Sequence, residues 1–186
     1  MRIISGVFKG RSINFLRNSK TRPLKDNVKE NIFNILEHSS LIKIKIENSN
    51  ILDLYSGIGS FGIECISRGA QKATFVEQDT NASDILKDNL IKLSIINKSK
   101  IYNSEIKSVF DKNIEEKFNI FFFDPPFADS KFIQNIGLIK KNKIFKQNHI
   151  VIIHREREAK DDFESHLKIV VTKNYGRSKI VFGVFN

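Results

Sequence analysis

The stretch ILDLYSGIGSFGIE, residues 51–64, joins an apolar run to a glycine-containing turn and a second apolar segment. This order is typical of a buried strand that ends in a tight loop and is followed by a helix. Glycines at positions 57 and 59 allow the backbone to pass close to a ligand, because they lack a Cβ atom. Gly57, Gly59 and Gly62 match the G-x-G-x-x-G spacing of cofactor-binding loops, and Glu77 lies 20 residues after Gly57. The stretch therefore predicts an α/β fold that binds a nucleotide cofactor.

Two cofactors fit this loop, NAD and S-adenosylmethionine, and both place an acid on ribose hydroxyls. Glu77, at the end of the predicted strand 73–76, is the candidate acid. Asp53 separates the two cofactors, because a carboxylate directly before the loop is unfavourable beside a pyrophosphate but suits an ammonium group. We therefore expect S-adenosyl-L-methionine, with Tyr55, Gly57 and Gly59 of the loop in its binding site.

A second motif follows the apolar run 120–123. Asp124, Pro125, Pro126 and Phe127 come next, and the prolines end the predicted strand because neither can donate a backbone hydrogen bond. An acid, a rigid turn and an aromatic ring are thus expected where open α/β sheets bind ligands. The motif predicts a site for a nucleobase with an exocyclic NH2 group, with Asp124, Pro125 and Phe127 as candidate catalytic residues.

The rest of the chain alternates strand-like and helix-like segments, which predicts a mostly parallel sheet with helices on both faces. The predicted strands are 51–54, 73–76, 99–103, 119–123 and 149–153, and the predicted helices are 60–68, 80–94, 105–112 and 130–141. Two final strand-like runs, 168–172 and 179–185, predict an antiparallel hairpin and bring the sheet to seven strands. Residues 2–16 predict a small β-hairpin, and a helix is expected to begin at Asp26.

These motifs together resemble a known family. Residues 53–62, DLYSGIGSFG, followed by the motif at 124–127, resemble class I methyltransferases that act on exocyclic amino groups. The amino end is similar to RsmD-type bacterial 16S ribosomal RNA guanine-N2 methyltransferases in four segments: RIISG at 2–6, KGR at 9–11, TRP at 21–23 and KENIFNIL at 29–36. The resemblance covers nearly the whole chain, and the segments occur in the family's order.

The resemblance implies a Rossmann-like class I methyltransferase fold and a specific reaction. A methyl group would pass from S-adenosyl-L-methionine to N2 of a guanine in 16S rRNA, within an assembled or late-stage small ribosomal subunit. Asp124 and the Pro125 carbonyl would accept the amino hydrogens, and Phe127 would stack on the base. Glu105, after the third strand, would reach the adenine amino group of the cofactor, or would form a helix cap together with Ser104. A cytoplasmic monomer is expected.

The basic residues are concentrated at the start of the chain. The net charge is +10, and residues 1–45 contain 10 Lys or Arg against 3 Asp or Glu, whereas residues 46–186 contain 21 against 18. This distribution is typical of a surface that binds a phosphate backbone. We therefore divide the chain into 1–45, a basic extension that faces RNA, and 46–186, the cofactor-binding core. The candidate RNA-binding residues are Arg2, Lys9, Arg11, Arg17, Lys20 and Arg22.

Other features exclude several classes of protein and site. No apolar stretch approaches the ~20 residues of a membrane span, and the amino end lacks a signal-peptide pattern. Cys65 is the single cysteine, so an intrachain disulfide is impossible and an intracellular location is expected. The run 155–158 (RERE) is interpreted as a solvated turn. No metal site is predicted, because four histidines lack ligand spacing and are interpreted as structural or surface residues: His38, His149, His154 and His166.

On the residues alone, alternatives stay open. DNA adenine-N6 and protein glutamine-N5 methyltransferases use a related motif, commonly Asn-Pro-Pro-Tyr, from which Asp124 and Phe127 differ. A non-catalytic RNA-binding assembly factor would share the fold, although the intact loop, acid and motif argue against it. A nicotinamide oxidoreductase is disfavoured by Asp53.

Overall fold

A seven-stranded sheet forms the centre of the protein in the computed structural model, which describes residues 1–15, 24–111 and 114–186. The strands are β1 Asn50–Leu54, β2 Lys72–Glu77, β3 Ser99–Asn103, β4 Phe118–Phe123, β5 Phe145–Glu156, β6 Leu167–Tyr175 and β7 Ser178–Phe185. Their order is β3-β2-β1-β4-β5-β7-β6. The pairs from β3 to β5 are parallel, whereas β7 is antiparallel to both β5 and β6. The predicted mostly parallel sheet with a terminal antiparallel hairpin is confirmed.

Helices cover both faces of this sheet, as predicted. They are α1 Asp26–His38, α2 Ser60–Ser67, α3 Thr80–Lys92, α4 Ile106–Phe110 and α5 Phe132–Asn142, with a 3-10 turn at Ile96–Lys98. Alternate residues of a strand point to opposite faces, and β4 shows this directly: Ile120 and Phe122 pack with α1, α2 and α3, whereas Phe121 and Phe123 pack with α4 and α5. The apolar run that ends in the Asp-Pro-Pro-Phe motif is therefore buried on both sides.

The amino-terminal segment forms a looser hairpin than the sequence predicts over residues 2–16. Among its described residues, pairing consists of one antiparallel bridge, Arg2 with Ser12, and flanking backbone hydrogen bonds such as Ile3 N–H to Arg11 O at 2.9 Å. Ile3 is buried in the same apolar cluster as α1 and α2. The division of the chain at residue 45 stays a prediction.

A buried charged cluster connects this amino-terminal segment to α2. Glu64, with none of its surface exposed, accepts hydrogen bonds from the backbone N–H of Ile4 at 2.8 Å and of Ser5 at 2.9 Å. Arg68 Nε also donates to Glu64, at 3.0 Å. The buried Lys29 of α1 lies 3.9 Å from the Glu64 carboxylate and donates to the Arg2 carbonyl at 3.2 Å. These contacts hold the segment against the core.

Candidate active site

The carboxyl ends of β1, β2, β4 and β5 meet at one edge of the sheet, because the four strands are parallel and in register. Leu54 pairs with Val76 on one side and with Phe123 on the other, and Phe123 pairs with Ile153. The residues that follow these positions therefore lie side by side at the edge: Tyr55, Glu77, Asp124 and His154.

The glycine loop after β1 turns through left-handed backbone conformations, with φ of 58° at Tyr55, 53° at Gly57 and 83° at Gly59. A Cβ added at Gly57 would meet no atom within 4 Å, so this side of the loop is open. A Cβ at Gly59 would lie 2.3 Å from Leu86 Cδ1, so this glycine permits close packing under the loop. Tyr55 adopts this conformation at a steric cost. Three other non-glycine residues do so elsewhere in the described residues: Asn48, Ser94 and Lys143.

Glu77 stands beside the open side of this loop at the end of β2. Its Oε2 accepts a hydrogen bond from Gly57 N–H at 2.7 Å, and its Oε1 accepts one from Asp79 N–H at 2.8 Å. A carboxylate has about four acceptor positions, so both oxygens retain capacity for hydroxyl groups. The location and the spare capacity fit the predicted role on a ribose.

Asp53 is buried under the loop, with 1% of its surface exposed. Its Oδ2 accepts a hydrogen bond from Gly62 N–H at 2.9 Å, whereas its Oδ1 has no partner among the described residues. Burial raises the pKa of this carboxyl well above 3.8, the Gly62 N–H lowers it in part, and Asp124 and Glu77 raise it further. A buried acid with an unpartnered oxygen fits a cationic group brought to this strand end.

The structure directs Tyr55 toward the segment after the Asp-Pro-Pro-Phe motif. Its hydroxyl donates to Asp129 Oδ2 at 3.1 Å and accepts from Asn135 Nδ2 at 2.8 Å, and burial raises the pKa of this phenol.

Glu105 is exposed at the start of α4 and its side chain does not cap that helix. At the nearby end of β3, the Asn103 side chain donates a hydrogen bond to the Glu77 carbonyl at 3.0 Å.

Asp124 is partly exposed at the end of β4, with 24% of its side-chain surface accessible. Its Oδ1 lies 2.8 Å from His154 Nδ1, and Oδ2 has no hydrogen bond among the described residues. Phe127 is 40% exposed, and its ring meets the His154 ring edge to face at 5.8 Å between centroids. A free carboxylate oxygen and an exposed ring therefore face the same edge as Glu77.

Arg155 holds the turn that carries Phe127. Its guanidinium donates to the carbonyls of Pro126 at 3.1 Å and Phe127 at 3.2 Å, and to Asp161 at 2.9 Å. The Pro125 carbonyl accepts no hydrogen bond among the described residues, so it stays available. Interpreting the run 155–158 as a solvated turn was wrong for its first two residues: Arg155 and Glu156 lie in β5, which extends beyond the apolar core of the strand, and Arg155 is 4% exposed.

Sequence reasoning missed His154 and Arg155 as members of this site. A usable signal was present, since His154 follows the apolar run 150–153 in the way that Asp124 follows 120–123. Parallel neighbouring strands place such residues next to each other. Recognising the pair required knowing that β4 and β5 are adjacent.

The predicted RNA-binding residues fall into two groups. Arg2, Lys9 and Arg11 are exposed on the amino-terminal segment, and the Arg11 guanidinium lies 5.4 Å from the centre of the Phe8 ring. Arg17, Lys20 and Arg22 lie outside the described residues. Within the described ranges, no helix is long and apolar enough to cross a membrane, and no cluster of three acidic, histidine or cysteine side chains is arranged to hold a metal ion.

The sheet order, the glycine loop after β1 and the acids at the ends of β1 and β2 together define the class I methyltransferase fold. The chain belongs to the RsmD family, since the family model described as conserved hypothetical protein 95 matches residues 1–184. The resemblance noted in the sequence is thereby confirmed.

Named relatives and a solved structure agree with this assignment. Ribosomal RNA small subunit methyltransferase D of Buchnera aphidicola subsp. Baizongia pistaciae is 35% identical, over 84% of this chain and 76% of the relative. The protein of the same name in Haemophilus influenzae is 34% identical, over 85% and 80%. The solved structure described as "Putative methyltransferase yhhF from Escherichia coli" superposes with a TM-score of 0.85 at 26% identity, covering 100% of this chain and 98% of that one.

Proposed function

We propose that the protein transfers a methyl group from S-adenosyl-L-methionine to the exocyclic N2 of a guanine in 16S rRNA of the small ribosomal subunit. The observation that carries the proposal is Oδ2 of Asp124, which has no hydrogen bond among the described residues and lies at a strand end that adjoins the end of β1. The exposed Phe127 ring packs against His154, the same residue that holds Oδ1. The names of the RsmD relatives support ribosomal RNA as the substrate class.

The residues at the ends of β1 and β2 fit the proposed cofactor. Glu77 would hold the ribose hydroxyls, Gly57 would let the backbone approach, and the unpartnered oxygen of Asp53 would favour the ammonium end. S-adenosyl-L-methionine supplies an electrophilic methyl group on a positively charged sulfur. NAD lacks the ammonium group that would offset the buried charge of Asp53 and brings a pyrophosphate instead, so it is disfavoured.

The chain's contribution to the reaction is to orient and stabilise the amino group. A guanine N2 is a poor nucleophile, because its lone pair is delocalised into the ring. Asp124 Oδ2 and the Pro125 carbonyl would accept its two hydrogens and turn the lone pair out of conjugation. As positive charge develops on nitrogen, the carboxylate stabilises it and can then take the released proton. Catalysis on this account is positioning and electrostatics.

Phe127 and the amino-terminal segment would bind the RNA. The exposed Phe127 ring offers a surface on which a base can stack, and the base must leave its own stack to reach Asp124. Arg2, Lys9 and Arg11 would contact phosphates. The proposed substrate is an assembled or late-stage small subunit, and the proposed enzyme is a monomer.

The deciding experiment uses small subunits that lack the modification. They are incubated with methyl-labelled S-adenosyl-L-methionine and the protein, and the RNA is digested to nucleosides. The expected product is labelled N2-methylguanosine, formed about 10²–10³ times more slowly by Asp124→Ala. Labelled N6-methyladenosine, or no label in RNA while the protein binds S-adenosylhomocysteine, would contradict the proposal. Stabilisation by NAD rather than S-adenosylhomocysteine in a thermal-shift assay would contradict the cofactor.

A further inference from the structure

His154 joins the candidate catalytic acid to a second strand through both of its ring nitrogens. Nδ1 lies 2.8 Å from Asp124 Oδ1, and Nε2 lies 2.9 Å from the Oγ of Ser178, the first residue of β7. The imidazole is 8% exposed and also packs edge to face with Phe127. Three elements, β4, β5 and β7, therefore meet at this one ring.

The proton positions follow from the partners. An ionised Asp124 can only accept a hydrogen bond, so His154 Nδ1 must carry the proton. In a neutral imidazole Nε2 is then an acceptor, and the Ser178 hydroxyl must donate to it. The acceptor-only carboxylate of Asp124 thus selects the Nδ1–H tautomer, and Ser178, whose hydroxyl can donate or accept, satisfies the remaining nitrogen. In a histidine, the hydrogen bond made by one nitrogen commonly decides which nitrogen carries the proton.

We infer that His154 is a positioning residue for Asp124, with the carboxylate selecting the Nδ1–H tautomer and Ser178 satisfying Nε2. By occupying Oδ1, His154 fixes the rotation of the carboxylate and leaves Oδ2 as the oxygen offered to the substrate amino group. Its ring edge also orients Phe127, so the acceptor and the stacking surface are set by one side chain. The role of Oδ2 as the acceptor for the substrate amino group rests on the proposed function, whereas the tautomer of His154 does not depend on it.

A purely structural histidine predicts different behaviour. If His154 only fills space, its removal lowers stability and leaves turnover of the folded protein unchanged. If it positions Asp124, kcat falls by about 10- to 100-fold, by analogy with residues that orient metal ligands through a hydrogen bond. Affinity for the cofactor stays unchanged, because Glu77 and Asp53 are not touched, whereas KM for the subunit rises, because the ring that packs against Phe127 is lost.

The variants His154→Ala, His154→Asn and His154→Gln distinguish these outcomes, with the exposed His38→Ala as the matched control. An Asn amide nitrogen can occupy the place of Nδ1, whereas a Gln amide reaches the place of Nε2. We expect the Asn variant to recover most of kcat and the Gln variant to recover none. Equal kcat in all folded variants would overturn the inference. If the methylated base is not guanine, the proposed function fails, while the kcat comparison still tests His154.

A measurement without turnover tests the same point. Nitrogen-15 NMR of the His154 ring reports which nitrogen carries the proton, and His154→Ala identifies its resonances. We expect the Nδ1–H form in the wild type and in Ser178→Ala, and a mixture of tautomers in Asp124→Ala, where the acceptor that selects Nδ1–H is gone. A wild-type ring protonated on Nε2 alone would overturn the inference, whatever the substrate proves to be.

Discussion

The two halves of the candidate site hold their acids in different ways. At the cofactor half, Asp53 is held by Gly62 N–H nine residues later, and Glu77 by Gly57 N–H twenty residues earlier. At the acceptor half, Asp124 is held by a side chain thirty residues later in the chain, His154. One half uses backbone donors from a contiguous stretch, and the other uses side chains brought together by the sheet.

The difference has a physical consequence. A backbone N–H is present whatever the side chain, so the cofactor half tolerates most substitutions around its acids. The acceptor half depends on the identity of the residues on β5 and β7, and each can be removed by a single mutation. We therefore expect side-chain changes to damage the acceptor half more than the cofactor half.

The largest effect is expected from Arg155→Ala. This change removes the hydrogen bonds to Pro126, Phe127 and Asp161 and leaves the Asp161 carboxylate, 11% exposed, without its partner. Removing one member of a buried pair costs about 3–5 kcal/mol. Denaturant unfolding should show a loss of this size. Arg177→Ala is the control, since its ion pair with Glu156 is exposed and its removal should hardly change stability.

Asp124→Ala should cut methyl transfer by about 10²–10³, because it removes one preorganised electrostatic interaction. Cofactor affinity should stay nearly intact, because Asp53 and Glu77 are separate from the change. Turnover of Asp124→Ala at the wild-type rate would show that the motif at the end of β4 is only a turn.

Phe127→Ala should instead raise KM for the subunit, because it removes stacking worth about 1–3 kcal/mol.

Glu77→Ala should weaken cofactor binding by about 1.5–3 kcal/mol for each hydrogen bond to a charged acceptor that it removes. The fold should survive, because Glu77 is half-buried at a strand end. Titration calorimetry with S-adenosylhomocysteine measures the change in affinity. The same measurement on Glu105→Ala compares the contributions of the two candidate acids to cofactor binding. An unchanged affinity for Glu77→Ala would remove that residue from the site.

Asp53→Asn should separate cofactor binding from stability. Burial raises the pKa of Asp53 in the folded protein, so its protonated form is favoured there. The stabilisation of the folded state by the protonated Asp53 is fully present below the ordinary pKa of 3.8 and is lost as pH rises through the raised pKa. Without cofactor, the variant should therefore become increasingly more stable than the wild type as pH increases above this value, yet bind S-adenosylhomocysteine more weakly. If the difference in unfolding free energy between the variant and the wild type is the same at every pH, the raised pKa of Asp53 is contradicted.

The smallest effect is expected from Lys9→Ala with Arg11→Ala on the exposed amino-terminal segment. The slope of log RNA affinity against log salt concentration should fall by roughly 0.7–0.9 for each phosphate contact that the substitutions remove. Cofactor affinity should not change, since neither residue touches the glycine loop. A slope equal to that of the wild type would mean that these charges are only solvated.

The same contrast explains what could be predicted from the sequence. The strand, loop and acid around Asp53, Gly57 and Glu77 are local patterns, and the apolar run before Asp124 is equally local, so both strand ends were found. The roles of His154 and Arg155 were not, because they depend on β5 lying next to β4 and on its length. The charge of Arg155 also concealed its burial, which requires Asp161 and two carbonyls as partners.

The buried cluster around Glu64 has a consequence for how a substrate would be selected. Because Glu64 and Lys29 fix the amino-terminal segment to α2, the loss of chain entropy occurs during folding and not when RNA binds. A phosphate bound at Arg2 would then lie within one side chain's reach of a fixed backbone position. A flexible tether accepts many distances between the bound phosphate and the reacting base, whereas this arrangement accepts a narrow range. A base would thus be selected by its spacing from the bound RNA backbone as well as by its chemical identity.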